Sequence, residues 1–148
     1  MILRKYQKED LVEVCNLFYE TINTVCINDY TCKQIAVWSS RKELLLTKND
    51  FFTQLDTIVA VENNQIIGYG NIDKHGYLDH LYIHKDYQRQ YIASAICDWL
   101  EKGKTVIEVY ASITAKPFFE KRGYVTIKKQ DVNLDGIALT NYIMEKRK

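Results

Sequence analysis

Several things are missing from this 148-residue chain, and each absence removes a class of function. Its four cysteines, Cys15, Cys26, Cys32 and Cys97, form no Cys-x-x-Cys pair, and its three histidines lack metal-site spacing with cysteine. His80 and His84 are four apart, but they sit in a strand pattern that does not bring them together as a helix would. No structural metal is therefore expected, and the cysteines read as reduced thiols, with Cys15 and Cys97 packing as small apolar groups in helical patterns. Charge of one sign is also missing. Lys and Arg number 20 and Asp and Glu 19, for a net charge of +1, so no strong field draws the chain to nucleic acid or to an acidic membrane. No apolar run is long enough to span a bilayer, and Met1 to Tyr6 carry no signal-peptide apolar block. A cytoplasmic location is the resulting expectation. Internal repeats, linkers and low-complexity segments are absent too, which predicts a single domain over 1–148.

What is present suits a globular chain with a substantial core: 47% apolar and 26% charged residues. The eleven tyrosines do not alternate with basic residues as in a nucleic-acid platform, so they argue for core and cleft. Ile2 to Tyr6 reads as a strand. Leu11, Val14, Cys15, Phe18, Ile22 and Val25 recur on one helical face. Thr31 and Gln34 fit a capping box opening a short helix to Trp38, which sets Gln34 and Trp38 one turn apart on one side. Asn49 or Asp50 is expected to cap another helical turn. Thr57–Glu62, Gln65–Asp73 and Tyr77–His84 read as antiparallel strands, with Asn63-Asn64 and Lys74-His75-Gly76 as turns.

Tyr77 to Leu100 organises the rest. A strand with Tyr77, Asp79, Leu81 and Ile83 on one face and His80 and Tyr82 on the other runs into a polar turn. A helix then opens near Tyr91, with Ile92, Ala95, Ile96, Trp99 and Leu100 on its apolar face. Unpaired N–H groups and the positive dipole end at such a helix start can hold a phosphate. After Gly103, Thr105–Tyr110 is a strand, parallel to the previous one because a helix separates them. A helix with Pro117 in its first turn, capped by Ser112 or Thr114, ends at Gly123, and two antiparallel strands close the chain.

This order of elements resembles the GNAT superfamily of N-acetyltransferases over nearly the whole chain. The family's pyrophosphate loop reads Gln/Arg-x-x-Gly-x-Gly/Ala, and Gln88-Arg89-Gln90-Tyr91-Ile92-Ala93 is similar to it, with Tyr91 where glycine is usual. A second family pattern, Asn-x-x-Ala-x-x-Leu-Tyr-Glu-x-x-Gly-Phe, is matched by Ser112-x-x-Ala115-x-x-Phe118-Phe119-Glu120-x-x-Gly123-Tyr124. Tyr30-Thr31-x-x-Gln34-x-x-x-Trp38 resembles one uncharacterised bacterial branch.

The resemblance implies an α/β (α+β) fold with a mixed, mostly antiparallel sheet of about seven strands and about four helices. It also implies acetyl-coenzyme A as cosubstrate, without a metal. Gln88, Arg89, Gln90, Tyr91, Ile92, Ala93 and Ser94 are the expected phosphate cradle, with Arg89 or Lys85 adding charge. The pantetheine arm is expected along Leu81, Tyr82 and Ile83, which requires the parallel strands to splay apart, and Ser112, Ala115, Phe118 and Phe119 complete the cofactor side. A tyrosine at position 91 is costly if the turn needs positive φ and acceptable if the backbone is already helical; the helical case is favoured, with the ring covering one side of the site.

Acetyl transfer to an amine needs a base, an oxyanion donor and a departing thiolate. A backbone N–H near Leu81 or Tyr82 is the expected donor. Asp79 is the first candidate for the base, against a structural carboxylate bonded to backbone or tyrosine, and His80 is the reserve. The family's usual tyrosine acid is replaced by Phe119, but expelling a thiolate unaided costs only about 2 kcal/mol near neutral pH. Tyr110 is the alternative acid. Tyr30, Gln34 and Trp38 are expected to line the acceptor side. The acceptor is expected to be a small-molecule amine or a protein N-terminus or lysine, with no nucleic acid or membrane partner, and a homodimer through exposed strands or helices is consistent with the pattern. The rival reading is a non-catalytic acyl-coenzyme A-binding sensor or interaction module.

Overall fold

The computed structural model describes residues 1–148. Strand β1 (Ile2–Lys5) leads through a 3-10 turn into helix α1 (Leu11–Val25), followed by α2 (Cys32–Ser39), α3 (Lys42–Leu45) and α4 (Asn49–Gln54). Strands β2 (Asp56–Glu62), β3 (Gln65–Ile72) and β4 (Tyr77–Ile83) come next, then α5 (Ile92–Glu101), β5 (Val106–Ser112), α6 (Lys116–Lys121), β6 (Val125–Leu134) and β7 (Ile137–Arg147). The strands form one sheet in the order β1-β2-β3-β4-β5-β7-β6, antiparallel everywhere except between β4 and β5. No helix is long and apolar enough to cross a membrane.

Local chemistry sets these elements. Asn63 and Asn64 both take positive φ, 52° and 60°, as a two-residue hairpin turn demands. Thr31 Oγ1 accepts from Gln34 N–H at 3.2 Å while Gln34 Oε1 accepts from Thr31 N–H at 2.8 Å, so the capping box opens α2. The caps of two short helices differ from expectation. Lys48, not Asn49 or Asp50, precedes α4, because Asn49 Oδ1 is taken by the Tyr6 hydroxyl at 2.7 Å. Ala115 precedes α6, and Ser112 instead accepts from Ala115 N–H at 3.0 Å to close the turn before it.

Two cores sandwich the sheet. On one face α5 and α6 bury Ile92, Ile96, Cys97, Leu100 and Phe119 against Ile58, Ile72, Leu78 and Met144. On the other α1, α2 and α4 bury Phe18, Ile22, Ile35 and Phe52 against Val59, Tyr69 and Leu139. The seam of α5 runs through Cys97 rather than Trp99, which stands at the exposed border. Helix α5 lies so close to β3 that a Cβ on Gly68 would sit 3.3 Å from Ile92 Cγ2 and 2.8 Å from Ile83 Cδ1. That proximity fixes the start of α5 beside the end of β4.

Candidate functional site

The splay of β4 from β5 opens the site. Their parallel pairing is confined to Tyr77↔Glu108 and Leu78↔Val109, after which the strands part. The C=O of Ile83 accepts from Gln88 Nε2 at 2.7 Å and Thr21 Oγ1 at 3.4 Å, so it faces away from β3. By the period of two, the N–H and C=O of Leu81 face the gap as well, while those of Tyr82 face β3. Of the two residues expected near the oxyanion, Leu81 therefore has the N–H directed into the opening.

A cleft of about 1560 Å³ fills this gap. Along one half of it lie Leu81, Tyr82 and Ile83 of β4 and the turn residues Gln88, Arg89 and Gln90. Tyr91, Ile92, Ala93 and Ser94 continue that wall, and Ser112, Ala115, Phe118 and Phe119 close it. Lys85, the other cation considered for phosphate contact, does not line it. The first N–H groups of α5 have no carbonyl a turn earlier to bond, and they open onto the Gln88–Tyr91 loop. An extended, peptide-like arm fits the free edge at Leu81, and a phosphate fits the α5 start, so the donor set suits coenzyme A.

Tyr91 overturns one expectation. Its backbone is left-handed, φ 64° and ψ 9°, rather than helical, and Arg89 two residues earlier has φ 61°. The chain must reverse between Gln88, extended along the end of β4, and Ile92, already in α5. Glycine does this freely and tyrosine at a cost. The Tyr91 ring, 85% exposed, stands in solvent.

Strand β4 also departs from simple alternation. Asn71 pairs with His80 and Ile72 with Leu78, so Asp79 is the extra residue of a bulge. Leu78, not Tyr77, shares the α5 face with Leu81 and Ile83, and Asp79 comes to 4.0 Å from His80 Nε2 rather than lying on the opposite face. No hydrogen bond from backbone or tyrosine reaches the Asp79 carboxylate, of which 32% is exposed. Burial, with a smaller push from Asp73, raises its pKa to about 6.

His80 has a different character. Tyr69 hydroxyl and His80 Nδ1 are 2.9 Å apart, and the imidazole packs among Phe18, Phe51, Phe52 and Tyr82. Burial lowers its pKa to about 4, so it is neutral at physiological pH and a weak proton acceptor. Tyr110, 44% exposed, packs edge-on to Tyr77 with centroids 5.2 Å apart and lines the cleft. Phe119 is buried, stacked edge-on to Phe118 and Tyr124.

On the acceptor side the structure brings Tyr30 and Trp38 to the cleft wall but not Gln34. Gln34 is spent on its capping box and on Ala138 O, to which Nε2 donates at 2.9 Å. The Tyr30 hydroxyl donates to Thr140 O at 2.7 Å and accepts from Ile113 N–H at 2.9 Å, and its ring meets Trp38 edge-on at 5.3 Å. These contacts fasten the α1–α2 connection to β5 and β7. Sequence reasoning missed Asp29, Arg41 and Asn141, which also line the cleft. They carry no motif; only the fold assembles them.

Known proteins share this arrangement. The acetyltransferase (GNAT) domain family matches residues 26–146. An uncharacterised N-acetyltransferase of Escherichia coli K12, YafP, is 34% identical over 146 residues, covering 96% of this chain and 93% of that one. The crystal structure of a GCN5-related N-acetyltransferase from Rhodopseudomonas palustris superposes with a TM-score of 0.94 at 28% identity, over 99% of this chain and 94% of that one. The PaiA N-acetyltransferase of Thermoplasma acidophilum, in complex with coenzyme A, has the same fold, with a TM-score of 0.76 at 21% identity over 99% and 98% of the two chains. With its splayed β4 and β5 and the loop leading into α5, this chain belongs to the GNAT acetyltransferase family.

Proposed function

We propose that the protein transfers the acetyl group of acetyl-coenzyme A to an amine by direct attack. The observation that carries this reading is a single cleft holding three things: the free β4 edge at Leu81, the start of α5, and the unbonded carboxylate of Asp79. Bound there, the cosubstrate supplies an activated acyl group on a sulfur that can leave. Leu81 N–H and C=O align the peptide-like arm, and the Leu81 N–H also stabilises negative charge developing at the acyl oxygen. The N–H groups of Ile92, Ala93 and Ser94, with Arg89, hold the pyrophosphate.

Asp79, with a pKa of about 6, is a carboxylate at neutral pH and takes the proton that the amine must lose. His80 stays neutral beside it and keeps its Nδ1 engaged with Tyr69. Phe119 has no proton to give; of the several hydroxyls on the cleft wall, that of Tyr110 returns one to sulfur. Without it, release as thiolate costs about 2 kcal/mol.

Calorimetric titration with acetyl-coenzyme A, coenzyme A and ATP, followed by an amine panel, tests the reading. Selective binding of the acetyl thioester with turnover of an amine is the expected result. Binding without turnover of any amine assigns the chain to acyl-coenzyme A sensing instead. No binding at millimolar concentration overturns both.

A further inference from the structure

The wall of the cleft opposite the cofactor holds groups that acetyl transfer alone does not use. Three cationic side chains line the cleft. Arg89 belongs to the loop before α5 and Lys121 to α6, which leaves Arg41, at the junction of α2 and α3, as the cation of the helical wall. No hydrogen bond to a protein acceptor is made by its guanidinium. Its Nε is buried without a protein partner, and its nearest carboxylate, Asp135, is 3.9 Å away and 71% exposed. A pair so open contributes little. Asn141, on β7 in register with Ser112 at the end of β5, also lines the cleft, and its Oδ1 is likewise buried without a protein partner. The same lining holds the apolar side chains of Trp38, Leu44, Leu45, Leu134 and Leu139. Two carboxylates complete it, Asp79 and Asp29, the latter accepting from the Thr114 hydroxyl at 2.8 Å.

Resting on the acetyltransferase reading, we propose that the acceptor is an amine that also carries a carboxylate, an amino acid with an apolar body, and that Arg41 binds its carboxylate. A planar guanidinium with free N–H groups matches a carboxylate in a two-point contact. Asn141 Oδ1 and the Asp79 carboxylate accept from the ammonium or amine, and the leucines and Trp38 take the hydrocarbon body. A phosphate dianion fits this wall poorly, because a lone arginine faces Asp29, Asp79 and Asp135. The charge pattern suits a zwitterion: one cation of the helical wall and two carboxylates in a mostly apolar lining.

The test compares matched amines that differ only in the carboxylate: leucine with 3-methylbutylamine, phenylalanine with 2-phenylethylamine, 6-aminohexanoate with pentylamine. In the wild-type protein at least one acid is expected to exceed its decarboxylated twin at least tenfold in kcat/KM, mainly through KM. In Arg41→Gln that ratio is expected to fall at least tenfold, and Arg41→Lys, which keeps charge but not the fork, to fall between. Equal or better use of every decarboxylated twin by the wild type overturns the assignment, as does acetylation of none of the six or an acid preference that survives Arg41→Gln. Calorimetry with acetyl-coenzyme A and the wider amine panel on the same preparations separate this failure from failure of the acetyltransferase reading, since the latter shows in the wild type as lost cosubstrate binding or as turnover of no amine at all.

Discussion

Asp79 owes its character to one extra residue in a strand. The bulge between Ile72 and His80 turns its carboxylate out of the ladder and beside the imidazole at 4.0 Å, yet leaves it without a hydrogen bond. A carboxylate partly withdrawn from water, given no donor and standing near Asp73 holds its proton more tightly, hence the rise from 3.8 to about 6. The sign of the consequence is fixed. Below pH 6 Asp79 is protonated and cannot accept; above it the carboxylate is ready. Turnover of a given amine should therefore climb about tenfold per pH unit below 6 through Asp79, on top of any limb from the amine. Asp79→Asn should cut kcat by roughly 10²–10⁴ and remove the limb near pH 6, while the affinity for acetyl-coenzyme A stays near that of the wild type. Comparing the two pH–rate profiles decides it. A limb that persists in Asp79→Asn, or undiminished turnover, assigns the proton to another group.

At the scale of elements, the strand–loop–helix from β4 to α5 was legible because its chemistry is local. Aromatic and branched residues mark the strand, Gln88 to Ala93 mark the loop, and Ile92, Ile96 and Leu100 recur at helical spacing. The capping box at Thr31 and the Asn63-Asn64 turn were legible for the same reason. Long-range matters were not. A bulge at Asp79 depends on pairing with β3, so alternation within β4 alone placed Asp79 and His80 on opposite faces. The partnerships of Gln34 with Ala138 and of Tyr30 with Thr140 span more than a hundred residues, and they turn apparent ligand contacts into fastenings of α2. Tyr91 is left-handed rather than helical: the side chain itself gives no sign of the reversal that starts α5, and only the glycine usual at that position in the family pattern points to it. A left-handed tyrosine is disfavoured by about 1–2 kcal/mol, and glycine relieves this at an entropic cost of about 0.5–1 kcal/mol. Tyr91→Gly should accordingly stabilise the protein slightly, by about 0.5–1 kcal/mol, or about 1–4 °C in Tm. Coenzyme A affinity should hold or improve, because the exposed ring touches little. A tenfold weaker Kd would mean that the ring itself grips the ligand.

For the whole molecule, one buried carboxylate joins the two halves of the sheet. Glu101, the last residue of α5 and 1% exposed, accepts from Arg122 Nε and Tyr124 hydroxyl, each at 2.7 Å, and from Lys146 Nζ at 3.2 Å, while its C=O accepts from Lys148 Nζ at 3.0 Å. Those donors come from the end of α6, the start of β6 and the end of β7, so Glu101 ties the crossover helix to the last hairpin and holds closed the base of the fork whose open end is the cleft. Burial pushes its pKa up, but the bonds from Arg122 and Tyr124 outweigh it and leave the group below 4.5. The stability this contributes is fully present above 4.5 and is lost as pH falls through the lower folded value, because the unfolded chain takes up the proton first. Glu101→Gln keeps the shape but removes the charge, leaving half-buried Arg122 and Lys146 against a neutral amide, with Arg122 still bonded to Asp98 at 2.6 Å. The expected cost is about 3–5 kcal/mol in urea unfolding at pH 7. The wild type and variant should converge as pH falls through that lowered folded value, since the wild-type carboxyl is then neutral as well. A variant that unfolds like the wild type at pH 7, or a difference that does not shrink in acid, would show that the hairpin is held by packing of Phe119, Tyr124 and Met144 rather than by this carboxylate.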